Sequence, residues 1–302
     1  MTARDAVAAR PYVDRPVQDL DAARAAAARA AGRWSLGPPE LIRLGMNAIF
    51  RSGRHVLRVG CPTVTSDAPL RLAATLSGHG IAVARPALDD VVVDDGFVVT
   101  CWEHLAEIDR PVDWCAVGQM VRRVQQIDRS ELPGDYPLPS PRTFPWWDFE
   151  SMLADLGPEI DPSALAGLQA AVERRPQWWA ARRPVVCHGD VHPGNVMMTA
   201  AGAVLIDWDL MCTAPSGWDH GPMMRWHERW GGVPGTYERF AAGFGADLRG
   251  DPAAEAIAEL RLVAATLMRV RAATADPAAR AEAERRLRYW RGDPDAPMWS
   301  AQ

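Results

Sequence analysis

Oxygen-bearing side chains stand close together in His188-Gly189-Asp190-Val191-His192-Pro193-Gly194-Asn195 and again in Ile206-Asp207-Trp208-Asp209. Phosphoryl transfer asks for such a set: a carboxylate to orient an attacking hydroxyl and accept its proton, and oxygen ligands to hold magnesium across the donor phosphates. Asp190 suits the first task, Asn195 and Asp207 the second. The step from Asp190 to Asn195 spans one short loop, and the strands after it return the chain so that Asp207 can face both. Other readings compete. His188 and His192 are spaced like zinc ligands on a helix, but Gly189, Pro193 and Gly194 oppose a helix there, so a zinc hydrolase is disfavoured. Asp207 and Asp209 alone would read as a solvated turn. Cys187 reads as a small apolar strand end more readily than as a thiol nucleophile.

The surrounding pattern supplies elements to position these groups. An alanine-rich run over 19–31, ending at Gly32, predicts a leading helix. From Glu40 to Gly60, short apolar stretches separated by Gly45 and Ser52-Gly53 predict three antiparallel strands. A helix over 67–79 follows, then a hairpin of Val91–Val93 with Phe97–Trp102 around Asp94-Asp95-Gly96. Trp114, Val117, Val121 and Val124 recur at helical spacing before a proline-rich loop from Arg129 to Pro145. Helices are expected around 146–156 and 162–175, a strand at 185–187, a hairpin of Asn195–Met198 with Ala203–Ile206, and helices thereafter. Ile257, Leu260, Ala264, Leu267 and Met268 mark one apolar face, and 277–290 forms another helix.

Composition narrows the classes. A chain of 302 residues, 48% hydrophobic and 24% charged, has enough apolar material to bury roughly 75% of its unfolded surface. The net charge of -5 and the dispersed arginines exclude a nucleic-acid footprint. All 33 basic side chains are arginine, so work usually given to lysine falls to arginine here. Five widely spaced cysteines without a Cys-x-x-Cys pair fit a reduced cytoplasm, and no apolar run reaches the roughly 18 residues of a membrane span. The acidic balance mildly favours a cationic partner.

The segment from His188 to Asn195 with Asp207 strongly resembles the catalytic motif of the aminoglycoside phosphotransferase and choline kinase family. The resemblance covers most of the chain: Gly45-Met46-Asn47-Ala48-Ile49-Phe50-Arg51 looks like the family's nucleotide-covering turn, His55-Val56-Leu57-Arg58-Val59 like the strand after it, and Thr100-Cys101-Trp102-Glu103-His104-Leu105 like the segment joining the lobes. It implies an α+β, bilobal protein-kinase-like fold. Residues 1–104 would be an antiparallel nucleotide-binding lobe and 105–302 a helical catalytic and substrate-binding lobe. It also implies ATP and Mg2+ as cofactors. Asp190 would be the catalytic aspartate, Asn195 and Asp207 the metal ligands. Asn47, Val56, Arg58, Trp102, Glu103 and Leu105 would line the nucleotide, with Val56 on adenine and Arg58 on the phosphates. His188 and Asp219 would support the loop, and Asp209 and His192 are secondary candidates.

The implied activity is transfer of the gamma-phosphate to a hydroxyl of an aminoglycoside, amino sugar or amino alcohol, with Trp146, Trp147 and Trp218 as candidate acceptor contacts. Protein substrates are disfavoured, because about ten residues between Asp207 and Asp219 leave no room for a peptide-binding segment. The sequence departs from the family in two ways: arginine replaces the usual lysine at Arg58, and the helix 67–79 offers Asp67 but no glutamate to pair with it. These departures keep open a catalytically silent nucleotide-binding or ligand-sensing member of the same fold.

Overall fold

A computed structural model describes residues 10–174 and 183–300; Trp178 and Trp179, which the sequence offers for packing more readily than for lining a cleft, lie outside them. A short strand, β1 (Val13–Arg15), leads to helix α1 (Leu20–Arg33), which starts where the Asp19 carboxylate accepts the Ala22 N–H at 2.9 Å. The alanine run has a positional cause. Ala23, Ala26, Ala27, Ala30 and Ala31 recur at helical spacing and are all buried, so the helix lies close over a sheet.

That sheet contains β2 (Glu40–Leu44), β3 (Ala48–Ser52), β4 (His55–Pro62), β5 (Pro86–Asp94) and β6 (Phe97–Glu103), in the antiparallel order β2-β3-β4-β6-β5, with β1 against the end of β4. Phe50, Leu57, Val59, Val99 and Cys101 are buried in one cluster with the α1 alanines. By alternation Val56 and Arg58 take the opposite face. The three strands expected over 40–60 are present. β5 starts earlier than the apolar run suggested, because an irregular register between Pro86 and Val91 lets a proline-led segment join the edge. β1 carries no alternation to announce it.

Helix α2 (Ala68–Gly78) packs Leu72 and Leu76 into a second cluster with α3 (Trp114–Gln126). The remainder is mainly helical: α4 (Phe149–Leu156), α5 (Pro162–Glu173), the short α6 (Gly221–Met224) and α7 (Trp226–Trp230), then α8 (Thr236–Phe244), α9 (Pro252–Ala275) and α10 (Arg280–Trp290). Pro145–Trp147 forms a 3-10 turn, which delays the helix expected from 146 until Phe149. Two small ribbons interrupt the helices. β7 (Val185–Cys187) pairs with β10 (Cys212–Ala214), and β8 (Val196–Thr199) pairs with β9 (Gly202–Leu205). The result is the expected α+β bilobal arrangement of an antiparallel sheet and a mainly helical part. No helix among the described residues is long and apolar enough to cross a membrane.

One buried histidine in the helical part makes stability depend on pH. His220 is fully buried, with Phe240 and Phe244 edge-on to its ring and Nδ1 3.0 Å from the Tyr237 hydroxyl. Burial pushes its pKa down to about 4, whereas in the unfolded chain it titrates near about 6.5. A depressed folded-state value means stability is intact above the unfolded pKa and is lost as pH falls toward the folded one. We expect His220→Phe to gain about 2 kcal/mol on the wild type between about pH 8 and pH 5 in urea unfolding. Parallel pH profiles for the two proteins would contradict this.

Candidate active site

The loop after β7 is shaped by its immediate neighbours. Gly189 has φ +98°, and a Cβ there would lie 1.9 Å from the Leu210 carbonyl oxygen, so only glycine can make the turn. The buried Asp219 carboxylate accepts the His188 N–H at 3.1 Å and the Gly189 N–H at 2.9 Å. Burial pushes Asp219 up to about 6, against the pull of those N–H groups. The Trp218 indole N–H donates to the Gly189 carbonyl at 3.1 Å, and Arg261 on α9 donates to the same oxygen while lying 4.5 Å over the Trp218 ring. His188 has Nε2 3.1 Å from the Ile206 carbonyl and accepts the Asp190 N–H on Nδ1 at 3.2 Å, which selects the neutral tautomer protonated on Nε2. Burial holds its pKa near 4, in keeping with that neutral ring.

Asp190 sits among groups that fix both its oxygens. Asn195 Nδ2 donates to the Asp190 main-chain oxygen at 2.9 Å and to Oδ2 at 3.3 Å. His192 Nε2 is 3.4 Å from Oδ2, and the Arg261 guanidinium is 3.8 Å from Oδ1. Burial alone would raise the Asp190 pKa, but the His192 hydrogen bond and the charges of His192 and Arg261 hold it well below the usual carboxylate range. For His192, burial lowers the pKa, but the bond to Asp190 prevails and raises it. The ribbon β8–β9 then returns the chain: the Ile206 N–H donates to the Asn195 carbonyl at 3.0 Å, which sets Asp207 beside Asn195. Asp207 has φ +64°, a left-handed conformation that costs a non-glycine residue about 1–3 kcal/mol. Burial, and then the Asp209 charge, push its pKa up to about 6.

This donor set fits a hard divalent cation. The Asn195 amide N–H groups are turned to Asp190, which leaves its side-chain oxygen as a ligand. Asp207 is a carboxylate whose buried charge a cation would relieve. No cluster of three or more His, Cys, Asp or Glu suited to a metal occurs among the described residues. Two protein oxygens with the rest from water and phosphate is the ligand pattern of Mg2+ at phosphoryl-transfer sites.

Above these groups the sheet is tied down through Asp209. Arg58 forms a buried ion pair with the Asp209 carboxylate, and the Asn47 amide donates to the same carboxylate at 2.9 Å. Asn47 is itself buried, and a side chain at Gly60 would strike it, since a Cβ there would lie 2.2 Å from Asn47 Oδ1. Asp209 thus supplies Arg58 with the acidic partner that the helix over 67–79 does not, while Asp67 pairs with Arg71. The strap before α1 closes the node: the Tyr12 N–H donates to the Asp209 carbonyl at 3.1 Å, its ring stacks on Tyr136 at 5.0 Å, and Arg58 lies 5.8 Å over it.

The remaining candidates fall in two groups. Val56 and Trp102 are directly opposed on β4 and β6, on the same face as Arg58. The Glu103 N–H is taken by the Arg85 carbonyl and the His104 N–H by that of Arg54, whereas the Leu105 N–H makes no such backbone bond among the described residues. Trp147 and Trp218, in contrast, are core residues in edge-to-face contact at 4.6 Å, and Trp146 is partly buried against Phe144. Their burial puts Trp147 and Trp218 behind the loop after β7 as supports. Arg261 belongs to no motif that the sequence offers. Its signal was available: a charged side chain within the apolar stripe of α9, immediately after Leu260.

A sheet over a helical base, with Asp190, Asn195 and Asp207 grouped where two ribbons end, is the layout of a protein-kinase-like phosphotransferase. Residues 62–260, more than half of the chain, match the phosphotransferase enzyme family (APH), and the protein belongs to it. Solved structures agree in fold. Aminoglycoside 2'-phosphotransferase-IIIa in its GDP complex superposes with a TM-score of 0.68 at 14% identity, covering 89% of this chain and 97% of that one. The amicoumacin kinase hAmiN, solved with AMP-PNP, Ca2+ and its antibiotic, gives 0.63 at 14%, covering 88% and 93%. A choline/ethanolamine kinase family protein from Mesorhizobium loti gives 0.59 at 18%, covering 92% and 95%. No curated protein sequence matches the chain.

Proposed function

We propose that this protein transfers the gamma-phosphate of ATP to a hydroxyl of a small molecule of the aminoglycoside, amino sugar or amino alcohol type, with residues 1–104 as the nucleotide lobe. The observation that carries the reading is the grouping of Asp190 with Asn195, at 2.9 and 3.3 Å, beside Asp207. Asp190 is ionised and poised to align the attacking hydroxyl. A carboxylate of such low basicity accepts the proton late, as the new O–P bond makes that hydroxyl acidic. Asn195 and Asp207 would hold Mg2+, which when bound neutralises charge on the donor phosphates. The nucleotides bound to the structural relatives support a nucleotide donor.

A silent, nucleotide-sensing reading draws on one observation: Arg58 is already engaged by Asp209. One experiment separates the two. Incubation with labelled ATP and Mg2+ across a panel of aminoglycosides, amino sugars and amino alcohols should give a phosphorylated acceptor. Magnesium-dependent thermal stabilisation by ATP with no transfer to any acceptor would instead favour the sensor.

A further inference from the structure

The nucleotide-covering hairpin contains a second arginine whose direction is set by a bulge. Leu41 opposes the buried Phe50, yet Arg43 opposes Ile49, so the register slips by one residue between them. In a regular strand Arg43 would share the face of Leu41; the slip turns it to the other. Ile49 in turn opposes Arg58, and Arg58 opposes Thr100. Arg43, Ile49 and Arg58 therefore form one row on the face away from α1, the face from which Arg58 meets Asp209. The two arginines differ in their commitments. Arg58 is half-buried and held by Asp209, whereas Arg43 is exposed and has no ion pair or side-chain hydrogen bond among the described residues.

We propose that Arg43 is the arginine that grips the phosphates of a bound nucleotide, while Arg58 serves as the tie between sheet and Asp209. This rests on the kinase reading above. It places the phosphate-binding charge on the strand that enters the covering turn Gly45-Met46-Asn47. The test is calorimetric titration of the wild type, Arg43→Gln and Arg43→Lys with ATP, ADP and adenosine in the presence of Mg2+. Arg43→Gln should weaken ATP and ADP by roughly ten- to a hundredfold, leave adenosine within about twofold, and be partly rescued in Arg43→Lys. Unchanged ATP affinity in Arg43→Gln would overturn the assignment and leave the kinase reading standing. Equal loss for adenosine would also overturn it, by assigning the residue to the base or to the shape of the strand. A wild type that binds none of the three would overturn both.

Discussion

Asp190→Asn should lower phosphate transfer by about a thousandfold or more, while ATP affinity and the melting temperature stay close to the wild type. The substitution keeps the shape of the side chain and removes its charge. Asn195, His192 and Arg261 surround the carboxylate, so an amide in its place retains packing but presents neither an acceptor for the incoming proton nor a partner for the Arg261 charge at 3.8 Å. The loop itself stays held by Asp219, Trp218 and His188, none of which bonds through the Asp190 carboxylate. A loss confined to turnover thus separates the chemical role from a structural one. Transfer within about tenfold of the wild type would remove Asp190 from the reaction, because a positioned general base contributes at least about a hundredfold.

The loop after β7 was legible in the sequence because everything that shapes it locally is short-range. A glycine at the φ +98° turn, an aspartate and asparagine at either end of one loop, and a returning hairpin lie within about twenty residues. Strand alternation likewise announced that Val56 and Arg58 share a face. The partner of that face did not follow from any local pattern. Asp209 lies 151 residues from Arg58, and its own neighbourhood reads as a polar turn. β1 and β10 are three residues each, too short for periodicity to register, yet one seats Tyr12 against Asp209 and the other pairs with β7 behind His188. Burial was the other hidden quantity. Trp147 and Trp218 have the composition of a ligand-contacting surface, and only packing against Phe149 and Phe144 makes them core.

The Arg58–Asp209 tie should be among the costliest single contacts in the protein to break. Both side chains are largely withdrawn from solvent, at 19% and 9% exposure, so removal of either partner leaves a buried charge without compensation. We expect Asp209→Ala to destabilise the protein by about 3–5 kcal/mol in chemical denaturation, and Arg58→Met to cost a comparable amount. The double variant Arg58→Met with Asp209→Leu leaves no orphaned charge and should be clearly less damaged than the sum of the singles, since apolar replacement of a buried pair is often neutral. Asn47 makes the outcome informative about the covering turn, because its amide also depends on Asp209, at 2.9 Å. A cost below about 1 kcal/mol for Asp209→Ala would place the pair in the class of solvated ion pairs and free Arg58 to meet a nucleotide. A double variant as unstable as the two singles summed would show that each residue holds the fold through other contacts, with Tyr12 over Arg58 and Asn47 against Asp209 the first to examine.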